Sequence, residues 1–226
     1  MALFRTIVFA AALAGLVAGL AVTLLQAMGT TPLILAAEAV EQHGPAALAA
    51  HDHAAAGGFG RAVRTGLANV VIATGFALLL VAGYALTGRK TGWREGLLWG
   101  LGGFLAFMLA PSLGLPPELP GTAAAELGAR QAWWITTALA TAAALALLAF
   151  RRSPVPAALA VLLLAAPHLI GAPQPEAMAS ELPPELTYRF EAVATVTSLL
   201  FWALLGVSSA ILFQRLSRAH HAPQPG

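Results

Sequence analysis

The sequence predicts an all-α polytopic membrane protein: about six transmembrane helices forming a single domain over residues 1–226, paired as parallel hairpin repeats, with both termini on the cytoplasmic side. Three observations carry that expectation. Of 226 residues, 58% are hydrophobic and only 10% are charged, whereas an ordinary soluble domain carries about 25% charged residues. Mean hydropathy is +0.77, and the apolar residues gather into uncharged runs comparable to the roughly 20 residues that cross a hydrocarbon core of about 30 Å. Lys and Arg collect at alternate ends of these runs, as short cytoplasmic loops require.

The candidate helices lie near 6–28, 63–87, 95–114, 132–150, 155–171 and 190–214. The first follows Arg5 and stays apolar to Leu25, longer than the roughly 7–15 residues of a signal-peptide core, so an uncleaved helix is preferred to a leader. The fifth is short. Pro154 and Pro156 suit its first turn and Pro167 falls near its end, which leaves a re-entrant segment open as an alternative to a full span. Six helices place Arg5, Arg89, Lys90, Arg94, Arg151, Arg152, Arg215 and Arg218 on one side with a single acid, Glu95. The other side receives Glu38, Glu41, Asp52, Glu118, Glu126, Glu176, Glu181, Glu185 and Glu191 against Arg61, Arg64, Arg130 and Arg189. Five helices would export either the Arg151-Arg152 pair or the Arg215/Arg218 tail.

Trp93 and Trp99 near inner ends and Trp133 and Trp134 near an outer end fit interfacial belts, while Trp202 lies deep enough to pack. Gly15/Gly19 and Gly96/Gly100 are small-xxx-small pairs that let helices approach closely. Such faces are compatible with a homo-oligomer and specify no activity.

Several function classes fall away. The chain has no cysteine, so thiolate metal sites and cysteine nucleophiles are absent. The pI near 9.7 reflects a net charge of only +2, and the segregated charges predict lipid, not nucleic acid, as the partner. No Gly-x-x-x-x-Gly-Lys-Ser/Thr run is present, so this chain binds no ATP through a P-loop. Within the predicted spans there is neither a nucleophile–base pair nor a metal-plus-carboxylate set, so no enzyme is expected.

An internal repeat points to transport. Leu115-Pro116-Pro117-Glu118-Leu119 recurs as Leu182-Pro183-Pro184-Glu185-Leu186, each copy between two helices on the outer side. Arg130 follows the first copy and Arg189 the second. Parallel hairpins of this kind build transporters, although proline pairs also make rigid turns and a following Glu can cap a helix.

Trp99-Gly100, Gly102-Gly103-Phe104, Ala110-Pro111, the run Gly114 to Gly121 and Arg130-Gln131-Ala132-Trp133-Trp134 resemble the cobalt transporter subunit CbtA family. Pro167-His168-Leu169-Ile170-Gly171-Ala172-Pro173, Pro184 with Leu186 and Phe190, and Phe201-Trp202 with Leu205-Gly206 agree with its closing motifs. The first outer loop departs from the family pattern, keeping His51-Asp52-His53 but lacking a Trp-Pro pair before the second helix. The resemblance implies a cobalt uptake permease of the bacterial inner membrane, linked to cobalamin synthesis and working beside a small His-bearing partner subunit. Co2+ would then be the transported ion, with no tightly bound cofactor.

Cobalt(II) accepts imidazole nitrogen and carboxylate oxygen. Glu38, Glu41, His43, His51 and His53 offer those donors in the first outer loop, Glu118 and Glu185 in the repeated turns, and His168 at the outer end of helix five. His51-x-His53 also reads as a plain solvated pair, and His168 as a hydrogen-bonded structural imidazole; His220 and His221 close a polar tail. No Asp or Glu lies near the middle of a predicted helix, which leaves Asn69 and threonine hydroxyls such as Thr136, Thr137 and Thr141 inside. That uncharged interior keeps open a second class, a non-conducting scaffold or assembly subunit.

Overall fold

A computed structural model of the chain describes residues 1–43, 58–88, 91–175 and 182–221. Those residues form seven helices and no strand: α1 (Ala2–Met28), α2 (Thr30–His43), α3 (Gly58–Thr87), α4 (Trp93–Ser112), α5 (Leu127–Phe150), α6 (Pro154–Ile170) and α7 (Pro184–His221). Five of them, α1, α3, α4, α5 and α7, are long and apolar enough to cross a membrane. The predicted fifth span is α6, whose 17 residues reach about 25 Å at the α-helical rise, about two turns short of the 24-residue α5. Inside the predicted first loop lies α2, a 14-residue helix with Leu33, Ile34, Ala37 and Val40 at helical spacing. The last helix starts at Pro184 rather than near 190 because proline, having no N–H to lose, suits the first turn.

The described residues divide into two compact units. The first takes α1, α3, α4 as far as Leu101 and α7 from Thr197. Its helices turn small residues inward, Ala10, Ala11, Ala14, Gly15, Ala18 and Gly19 on α1, and leave Leu13, Leu16, Val17, Leu20 and Leu24 outward. That inversion of a soluble core suits lipid, where close backbone packing holds helices together. Along the α1–α3 pair, a Cβ on Gly15 would lie 2.5 Å from Thr74 Cα, one on Gly19 2.6 Å from Val70 Cα and one on Gly66 3.6 Å from Thr23 Cγ2. The partners descend as Gly positions rise on α1, so the two helices are antiparallel. Asn69 Nδ2 pins the same seam, donating to Thr23 Oγ1 at 3.0 Å and Gln26 Oε1 at 2.7 Å.

On the other side of this unit α4 and α7 meet through three glycines. A Cβ on Gly96 would lie 2.5 Å from Ala210 Cβ, and one on Gly206 would strike Gly96 O and stand 2.8 Å from Gly100 Cα. Tyr84 Oη reaches Gly206 O at 3.3 Å and Ser209 Oγ at 3.2 Å, tying α3 to the same crossing. Trp202, 3% exposed, packs on Phe76 with centroids 4.7 Å apart and the rings tilted at 54°, as its depth predicts. Trp99 differs from the interfacial role expected of it: its ring lies against Gly83 and meets Tyr84 edge-on at 5.3 Å, so it is a packing residue. Trp93 carries the Arg94 guanidinium over its ring at 5.2 Å.

The second unit holds α2, Gly102–Ser112, α5, α6 and α7 up to Val196. Within it α4 widens into a π-helical segment, Leu105–Leu109, just ahead of Pro111. Proline clashes with the carbonyl four residues back, and an added residue in the turn relieves that clash. α5 and α6 form an antiparallel hairpin closed through Arg151, Arg152 and Ser153, with Trp133 Nε1 near the start of α5 donating to Pro167 O near the end of α6 at 3.2 Å.

Candidate functional site

The first repeated pentapeptide is a loop, and its end is fixed by a turn. Thr122 N–H donates to Leu119 O at 3.3 Å across Pro120 and Gly121, with Gly121 at φ +80°. Proline second and a positive-φ glycine third are the requirements of a type II turn. The Thr122 hydroxyl donates to the same carbonyl at 2.7 Å. The turn buries Leu119, 3% exposed, and leaves Glu118 beside α5, where its Oε2 accepts from an Arg130 terminal nitrogen. Both side chains are 27% exposed, and Arg130 Nε is buried with no hydrogen-bond partner. The guanidinium is thus held by one edge.

Arg130 stands in the first turn of α5, whose start is set by Glu126. The Glu126 carboxylate accepts from Gly128 N and Ala129 N, each at 2.7 Å. These two donors hold its carboxyl below the ordinary glutamate range. Because that lowered value favours the ionised form in the folded chain, the cap is complete at neutral pH and is lost as pH falls through the lowered value.

One turn further on, Trp133 clamps three segments. Besides donating to Pro167 O it meets the His168 ring edge-on, with centroids 5.9 Å apart. A Cβ on Gly114 would lie 2.6 Å from Trp133 Cη2 and 2.8 Å from Ala172 Cβ, so only glycine admits the indole there. Gly171 ends α6 at φ +89° while its N–H returns to Pro167 O at 3.0 Å. Trp134 faces Phe107 of the π segment at 6.1 Å. The first two turns of α5 therefore gather Glu118 through Arg130 and His168 through Trp133.

The two pentapeptides converge on one apolar cluster. Leu33 and Ala37 of α2 pack with Leu119 from the first copy, Leu182 from the second and Phe190 of α7; Leu186 and Val193 lie against them. The copies do not share a backbone form, however. Leu115 to Leu119 carry no helix, whereas Pro184 and Glu185 open α7, so Glu185 is an exposed residue of a first helical turn and Glu118 a loop carboxylate. The repeat seen in the sequence therefore does not extend to the local structure of the two glutamates.

Of the other predicted donors, Glu38 is half-buried on α2, and Glu41 and His43 fall in its last turn. His51 and His53, with Asp52, lie outside the described residues, as do Arg89, Lys90, Glu176 and Glu181. Among the described residues no three His, Asp or Glu side chains form a metal-holding set. Sequence reasoning missed Glu126 as the cap, glutamate being a weak capping type, and Gly114 as the socket for Trp133; their signals were position before a helical run and a glycine before a Pro-Pro turn.

The family model described as "Probable cobalt transporter subunit (CbtA)" matches residues 4–214. No curated protein matches the chain, and no solved structure does.

Proposed function

The chain belongs to the CbtA family, whose members are described as probable cobalt transporter subunits, and on that premise we propose that it imports cobalt(II) across the bacterial inner membrane. The imported metal supplies cobalamin synthesis, and a small His-bearing membrane subunit works beside it. The single observation that carries the reading is the gathering of a carboxylate, Glu118, and an imidazole, His168, around the first two turns of a membrane-length helix. Oxygen and nitrogen donors of that kind suit a borderline divalent ion.

The proposed topology is six spans in one membrane domain with both termini inside. α6 supports it despite its length, because the Trp133–Pro167 bond brings the end of α6 back level with the second turn of α5. If α5 crosses, α6 recrosses nearly the same depth. The acidic outer face, to which Glu38, Glu41, His43, His51, His53, Glu118, Glu185 and His168 contribute donors, then captures metal before it enters. A reporter fused after Arg218 should be cytoplasmic; an external reporter would remove the even-span arrangement.

The capture step has its own test. Replacing His51 and His53 together with alanine should raise the cobalt concentration giving half-maximal uptake and leave the maximal rate nearly intact. Imidazole coordinates only when neutral, with an ordinary pKa of about 6.5, so low-cobalt uptake should fall on external acidification and the double variant should lose that component. An unchanged half-saturation in the double variant would end the capture role.

A second reading, a non-conducting assembly subunit, is favoured by one observation: no Asp or Glu lies in the middle of any of the five membrane-length helices.

A further inference from the structure

The objection that the interior lacks charge meets two oxygens in the second unit. Threonines along these helices mostly turn back on their own backbone: Thr23 donates to Gly19 O, Thr74 to Val70 O, Thr136 to Ala132 O and Thr195 to Glu191 O. That is the ordinary fate of a helical hydroxyl. Thr137 departs from it. It is 0% exposed, lies near the middle of α5, and its Oγ1 has no hydrogen-bond partner. Leaving such a hydroxyl dry is costly, so something polar is expected beside it.

The neighbouring helix supplies a second candidate oxygen. In α4 the Ala110 N–H donates to Leu105 O, not to Ala106 O, and Pro111 has no N–H. Neither donor that an α or a π turn would offer the Ala106 carbonyl therefore reaches it, and Ala106 is 2% exposed. The π segment packs on α5, and the Phe107–Trp134 contact sets it level with the turn of α5 that ends at Thr137. Thr137 also lies seven residues beyond Arg130, two turns along the same face, and those two side chains hold the buried unpartnered side-chain atoms found among the described residues. With Thr141, 3% exposed, the stripe continues inward.

The geometry points to a neutral-oxygen cation site at the middle of α5, in which Thr137 Oγ1 and the Ala106 carbonyl replace part of the hydration shell of a divalent transition-metal ion. The site rests on the transport reading and deepens it. Hydroxyl and carbonyl oxygens bind weakly enough to release the ion, and irregular backbone serving an ion at membrane depth is how discontinuous transporter helices work. The ion keeps its remaining waters, so no carboxylate is needed inside.

The test uses the full-length chain, with Thr137→Val removing the hydroxyl at constant shape and Thr137→Ser retaining it. In cells with matched membrane levels, Thr137→Val should lower maximal cobalt uptake about tenfold, one unmade ligand of about 1.4 kcal/mol, while Thr137→Ser keeps most of it. In purified protein in nanodiscs, Co2+ should raise the unfolding temperature of the wild type and the Ser variant but not of Thr137→Val. Without metal, the Val variant should be as stable as wild type or more so, because an unpaired hydroxyl has been replaced by a methyl. A Val variant that retains Co2+ stabilisation, or one less stable than wild type without metal, would overturn the site. Stabilisation by Co2+ that Thr137→Val abolishes, in a wild type that imports no cobalt, would keep the site and overturn the uptake reading instead.

Discussion

Replacing Gly206 with leucine should remove nearly all folded protein from the membrane. A Cβ there collides with the Gly96 carbonyl and lies 2.8 Å from Gly100 Cα and N, all backbone atoms that no rotamer change can move aside. Tyr84 Oη of α3 meets Gly206 O and Ser209 Oγ at the same crossing, so a shift of α7 away from α4 also displaces the partners of a buried hydroxyl. Overpacking alone costs about 1–3 kcal/mol in a core that can adjust, and this one adjusts only by separating helices. Gly75→Leu is the control, since nothing lies within 4 Å of a Cβ there. Folded yield after detergent extraction, read by size-exclusion profile, checks it; a Gly206→Leu chain that elutes like Gly75→Leu would show that the glycine crossing is dispensable.

The second large effect is expected at Glu118. Glu118→Gln should cut maximal cobalt uptake about tenfold or more, the scale of one lost charge contact at 1.4 kcal/mol per decade, without matching loss of protein. Arg130 occupies the carboxylate in the structure, so on the proposed reading an arriving divalent cation would have to compete with a resident monovalent one at the mouth of α5. The exchanged pair Glu118→Arg with Arg130→Glu separates the roles. It restores opposite charges and should restore protein levels, while uptake stays low because the carboxylate now sits on the helix instead of the loop. Full recovery of uptake would show the pair to be a structural clasp only.

Much of the fold is legible because hydrocarbon leaves so few solutions. The runs near 63–87 and 95–114 appear as α3 and α4 within a few residues, since an apolar stretch of that length, charged only at its start, has no other stable form in lipid. α2 was hidden by its composition: Pro32, two threonines and Glu38 read as loop, and its apolar face shows only once Leu119 and Leu182 are there to be covered. The start of α7 was hidden by Pro183-Pro184, which reads equally as a turn. At the candidate site the residue types were legible but their pairings were not. The sequence put Arg130 after the Glu118 turn without fixing its partner, and that His168 stands against Trp133 depends on α6 folding back along α5. Thr137 was one hydroxyl among many until its hydrogen-bond account was found open.

The claim that this chain forms the route for cobalt is tested most directly by flux into sealed liposomes carrying the purified partner subunit, with or without this chain. The account predicts Co2+ entry only when the chain is present, with Glu118→Gln lowering it. Equal entry through the partner alone would make the chain a scaffold and contradict the account.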